Sequence, residues 1–213
     1  MNLQKIKHYI AEYKKHLQSK RNFDEGYKWE SLQVFQDNWN IEAADFVKMY
    51  DASFQNSETR RLWKGDNFFP KEMMMKFIKI SPDFVRNMFR DLFNENKDIE
   101  SRISRFQFCC DSLLNEYKSK FPLTIENRHF HIENHMISMY LCFRYPQQYS
   151  FFEYAFFKQA MENIGVTNLP TQFDIARFFK VARTLNTFLQ KDLELINLQK
   201  KKLRPEIHFM DDT

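Results

Sequence analysis

Only three glycines, at positions 26, 65 and 165, punctuate a chain of 213 residues that carries 24 phenylalanines. No other feature restricts the fold as much. Glycine takes left-handed backbone at no steric cost, so sandwiches and barrels, which reverse the chain tightly many times, need more of it. The scarcity leaves helices as the economical solution, and the rings demand a large interior. A chain of this length buries roughly 70% of the surface its unfolded form exposes. The expectation is an all-α, multi-helix globular domain with an aromatic-rich core.

Apolar residues recur at helical spacing along nearly the whole chain. Ile6, Tyr9, Ile10, Tyr13 and Leu17 form one stripe over 2–19. Trp29, Leu32, Phe35 and Gln36 form a second, and Phe46, Met49, Tyr50 and Phe54 a third, in a helix read from Ile41. Residues 57–69 read as a loop with at most one helical turn, after which Pro70 opens a helix. Ser81 with Pro82, and Asp98, read as starts of two further helices, the second reaching Tyr117. Ser150 with Glu153 and Thr171 with Asp174 read as capping boxes. Gly165 ends the first of those helices, and the second runs through Phe178, Leu185 and Leu193 towards Lys202.

One segment breaks the helical pattern. In 121–132, Leu123 alternates with Ile125 and Phe130 with Ile132, so a small hairpin over 122–132 is one reading and an irregular loop the other. The chain reads as a single helical domain over 1–205, with 1–65 and 66–205 as sub-lobes if a seam exists, and an acidic tail over 206–213.

Three cysteines, two of them adjacent at 109 and 110, make no secreted-type disulfide framework and read as buried thiols in a reducing compartment. The N-terminal stretch lacks a signal peptide's apolar core, and no apolar run is long enough to span a bilayer. The expectation is a cytoplasmic protein with no membrane partner. The net charge of +4 is modest, but Arg177–Arg204 carries eight Lys/Arg against two acids. Such a run is a solvated helix face or a polyanion-binding surface.

Chemistry-bearing motifs are sparse. No glycine lies before a Lys-Ser or Lys-Thr pair, so no phosphate-cradling loop exists and no nucleotide cofactor is expected. Pro82-Asp83 followed by Glu95-Asn96-Lys97 spells a metal-nuclease string. That chemistry needs neighbouring strands, whereas these residues fall at helix ends. His129, His131 and His135 lie within seven positions, but they share no single face and the cysteines are remote in sequence. No metal site is therefore expected. Arg128 and His135 have the spacing of the arginine–histidine pair in HEPN-type helical ribonucleases, which they resemble. The resemblance implies a histidine acid/base beside an arginine that stabilises phosphate charge. The aromatic residues mix with Arg, Lys and Gln, as in base-stacking surfaces, which singles out Trp29, Trp39, Trp63, Tyr145 and Tyr149.

Three blocks together, "YKWESLQVFQDNWNIEAADFVKMYDASF", "FFPKEMMMKFIKISPDFVRNMFRDLFNENKDIESRISRF" and "MISMYLCFRYPQQYSFFEY", resemble the N-terminal region of bacterial McrB-like AAA+ proteins, the GTP-dependent motors of modification-dependent restriction systems. The similarity covers most of 20–155. It implies a recognition or adaptor domain in antiphage defence, with DNA, including modified DNA, and an AAA+ motor or McrC-like nuclease subunit as partners. The motor's nucleotide-binding motifs are missing, so neither GTPase nor nuclease activity is expected of this chain. The resemblance carries over no site residue. From charge, the expected DNA-binding residues are Arg128, Arg144, Lys191, Lys200, Lys201, Lys202 and Arg204. A protein-docking module and the ribonuclease using Arg128 and His135 are the alternatives.

Overall fold

The computed structural model describes residues 2–19, 24–56, 58–63 and 67–210. Among them are eleven helices and no strands. They are α1 (Leu3–Gln18), α2 (Tyr27–Asn38), α3 (Phe46–Ser53), α4 (Arg60–Trp63), α5 (Pro70–Ile80) and α6 (Pro82–Leu92). There follow α7 (Ile99–Lys120), α8 (His135–Arg144), α9 (Tyr154–Asn163), α10 (Ile175–Leu189) and α11 (Leu193–Lys200). No helix is long and apolar enough to cross a membrane among the described residues.

Helix α8 is the centre. Every side chain from Met136 to Phe143 is buried, as expected of a helix that is apolar all round. Tyr140 meets Phe89 of α6 at 5.1 Å between ring centroids, Phe54 at 5.7 Å and Phe106 of α7 at 5.9 Å. Trp39 stacks on Phe35 at 4.9 Å and meets Phe89 edge-on at 5.1 Å. Rings from before and after residue 65 thus share one core. Around it α2 packs on α3 and α8, α5 on α3, α6 and α7, and α10 on α7. Helix α1 pairs with α11, where Leu17 and Leu195 are buried apart from the main core cluster.

Local chemistry sets most boundaries. Asp98 accepts from Ser101 N at 2.9 Å and starts α7, and Pro70 and Pro82 open α5 and α6. Gly165, at φ +76°, ends α9 while Val166 N donates to Met161 O at 2.9 Å, a Schellman closure.

Several expectations are corrected. The third helix begins at Phe46, not Ile41, because Asp45 caps it. Glu153 itself is the N-cap of α9, so the Ser150 box does not form. Thr171 and Asp174 bond to each other in a turn before α10, where Thr171 N donates to Asp174 Oδ2 at 2.9 Å. The last long helix is two, broken at 190–192, because Asp192 accepts from Leu195 N at 3.0 Å and restarts the chain as α11. The hairpin over 122–132 is absent, and the segment is irregular. Residues 206–210 do not trail free: Phe209 N donates to Trp29 O at 3.1 Å, and His208 is buried with its Nδ1 accepting from Arg204 N at 2.8 Å. Residues 211–213 of the expected tail, and Gly65, lie outside the described residues.

Candidate functional site

The irregular segment between α7 and α8 is where the chemistry collects. Gln107 of α7 ties it down, donating from Nε2 to Ile132 O and to Asn134 Oδ1, each at 2.9 Å. Phe130 and Asn134 both adopt φ +62°, a left-handed backbone that a bulky ring such as Phe130 takes only under constraint. On either side of Phe130, His129 and His131 are turned inward and buried, with rings 5.9 Å apart and nearly parallel.

Their hydrogen bonds fix both tautomers. Nδ1 of His131 faces the carbonyl of His129, and a carbonyl cannot donate, so Nδ1 carries the proton. The lone pair is then on Nε2, where Tyr140 Oη sits at 3.0 Å. Nδ1 of His129 accepts from His131 N at 3.1 Å, so the His129 proton is on Nε2, directed at Asp111 Oδ1, also 3.1 Å away. Tyr140 Oη is 2.7 Å from Tyr50 Oη. A hydrogen-bonded chain therefore runs from exposed Asp111 through His129, His131 and Tyr140 to fully buried Tyr50. Burial, reinforced by the neighbouring imidazole, pushes His131 down to about 3. Burial lowers His129 as well, against the pull of Asp111.

Cys110 of α7 completes this cluster. One donor atom each from Cys110, His129 and His131 lies within 4.8 Å of the other two. The sequence offered no sign of it, because Cys110 and His129 are 19 positions apart and Cys110 sits on an ordinary apolar stripe of its helix. Burial raises the Cys110 thiol well above its usual range and pushes Cys142 up to about 12. All three cysteines are buried and free.

Arg128 and His135 do not converge. Arg128 is exposed, 3.4 Å from Glu133 Oε1, with its guanidinium over the Phe130 ring at 5.4 Å. His135 turns the other way, with Nδ1 3.1 Å from Phe152 O and Nε2 against Leu62 O. Each imidazole nitrogen thus faces a backbone carbonyl. His135 edges a mostly apolar cleft of about 350 Å³ between α4, α9 and α10, whose lining includes Arg61 but not Arg128. The geometry that a helical ribonuclease requires of this pair is not present.

The remaining sequence candidates distribute over the surface. Lys191, Lys200, Lys201 and Arg204 are exposed at or beside α11, and no ion pair engages their side chains among the described residues. Lys202 donates from Nζ to Ser19 O at 3.1 Å, at the end of α1. Arg144 ends α8, exposed, with its guanidinium 5.2 Å from the Tyr145 ring centre. Trp63 and Tyr149 are buried, and Trp29, Trp39 and Tyr145 are half-buried. Tyr149 instead belongs to an internal hub, accepting from Arg102 Nη2 at 2.7 Å, while Arg102 Nη1 bonds Leu92 O at 2.9 Å and Glu95 Oε1 at 2.5 Å.

Comparison with protein-family models, with curated proteins and with solved structures finds no match to this chain.

Proposed function

We propose that this chain is a binding domain whose ligand is duplex DNA, engaged through the α1–α11 face, and that it serves a McrB-like restriction system without GTPase or nuclease activity of its own. The reading rests on one observation: α11, flanked by basic residues, lies along lysine-rich α1, and the acids of the two helices are already used. Lys14 is neutralised by Asp192 at 3.0 Å and Glu194 at 2.8 Å, and Lys15 by Glu12 at 2.7 Å. That leaves Lys7, Lys191, Lys200, Lys201 and Arg204 exposed without acidic partners among the described residues. Exposed cations along paired helices suit phosphate contacts, which supply affinity without reading sequence. Arg128 and Arg144, on the loop before α8 and at its end, would add contacts only where the duplex extends past that face.

The test is fluorescence anisotropy with a labelled duplex at low salt. Replacing Lys200, Lys201 and Arg204 together by glutamate should weaken binding by about tenfold or more while leaving helix content unchanged. Absence of binding by the wild-type chain to plain and modified duplexes alike removes the proposal.

A second reading, a protein-docking module, draws on a different observation. Leu123 and Ile125 are 98% and 92% exposed on the loop before α8, and clustered apolar side chains of this kind mark partner contacts. On that reading, Leu123→Ser with Ile125→Ser abolishes co-purification with a motor or nuclease subunit and leaves DNA affinity untouched. Unchanged co-purification eliminates it.

A further inference from the structure

We propose that Cys110, His129 and His131 form a binding site for a borderline-soft divalent metal ion of the zinc type, pinning the loop before α8 to the middle of α7. The three donors are within 4.8 Å of one another and all three side chains are buried. Tetrahedral zinc with one sulfur and two imidazole nitrogens places donors roughly 3.5 Å apart. Small side-chain rotations therefore close the set, with no rearrangement of helices.

The donor chemistry is selective. One thiolate and two neutral imidazoles suit zinc, copper or cobalt and are poor ligands for magnesium or calcium. The hydrogen bonds leave a lone pair on His129 Nδ1 and on His131 Nε2, the nitrogens that would ligate. The outer partners are also in place. His131 Nδ1 is held by the His129 carbonyl and His129 Nε2 by the Asp111 carboxylate, the kind of second contact that orients a ligating histidine and raises its basicity. Asp111, reaching the surface, adds compensating negative charge.

On binding, a metal–sulfur bond forms as the Cys110 S–H bond breaks, and that proton passes to solvent. His129 Nδ1 exchanges its bond from His131 N for the metal. His131 Nε2 likewise exchanges its bond from Tyr140 Oη, 3.0 Å away, for the metal, and a water occupies the fourth position. His135 takes no part, because both its nitrogens lie against Leu62 O and Phe152 O. The site is independent of the DNA-binding reading, as it lies inside the molecule rather than on the α1–α11 face.

The experiment is a Co²⁺ titration of the full chain without an affinity tag, read by absorption. One equivalent should produce tetrahedral d–d bands in the visible and a thiolate-to-cobalt band in the near ultraviolet, both lost on adding Zn²⁺. Cys110→Ser should remove the thiolate band, and Cys109→Ser should retain it. A folded wild-type chain that develops no such bands overturns the site, as does an unchanged thiolate band in Cys110→Ser. X-ray absorption of the zinc-loaded wild type needs no variant: one sulfur and two imidazoles support the site, and a shell without sulfur overturns it.

Discussion

The Tyr140 hydroxyl donates to His131 Nε2 and accepts from Tyr50 Oη, and the two bonds are not of equal consequence. Tyr140→Phe strands a buried donor on Tyr50 and a buried lone pair on His131. Tyr50→Phe strands neither, because Tyr140 keeps its own acceptor. An orphaned buried polar group costs about 1–3 kcal/mol. Urea unfolding of the chelator-stripped protein should therefore show Tyr140→Phe as the more destabilising change, by at least about 1 kcal/mol. Equal losses would contradict the assigned direction of the chain. The same histidines set a pH dependence. His131 titrates near 3 when folded against 6.5 when free, so between those values the unfolded chain binds the extra proton. Stability is full above about pH 6.5 and is lost as pH falls towards 3. From pH 7 to pH 5 this residue alone should cost about 2 kcal/mol, with His129 and His208, both lowered chiefly by burial, acting in the same direction. The capped and paired carboxylates of Asp91 and Asp98 contribute only below about pH 4, so the window belongs to histidine. Stability that is flat across it would refute the buried neutral state.

Among the elements, the junction of α10 and α11 depends most on one side chain. Asp192 caps α11 through Leu195 N and also meets Lys14 of α1 at 3.0 Å. Asp192→Ala should destabilise by about 1 kcal/mol, the usual worth of a cap, with Asp192→Asn recovering most of it. Thermal unfolding by circular dichroism measures both. Phe178, Leu185 and Leu193 continue one helical periodicity through the break, so the stripe gave no warning, and only the cap at Asp192 marks it. Asp98, Pro70, Pro82 and Gly165 were legible because each acts on its own backbone or on that of residues a few positions away. The capping box at 171 does not form because Thr171 and Asp174 bond to each other in a turn just before the helix, and the one at 150 because α9 starts three residues later, with Glu153 at its N-cap. The Cys110–His129–His131 cluster was invisible for the opposite reason. It depends on how a 14-residue loop folds back on α7, and no local pattern encodes that.

For the molecule as a whole, the glycine scarcity and ring content were sufficient to indicate an all-helical body around an aromatic core, because both act through bulk burial rather than through any particular pairing. They do not position the surface charges. Those are positioned by the pairing of α1 with α11, which consumes the acids of α11 on Lys14 and leaves its terminal lysines facing solvent. If that face binds DNA, affinity is mostly counterion release, and its salt dependence reports how many phosphates are touched. DNA binding by this face is best measured as the slope of log affinity against log salt for the wild type and for the Lys200→Glu, Lys201→Glu, Arg204→Glu variant. The wild type should show a steep negative slope, and the variant one shallower by roughly 3, at about 0.9 per lost phosphate contact. Equal slopes in the two proteins, or duplex binding that does not respond to salt, would contradict it.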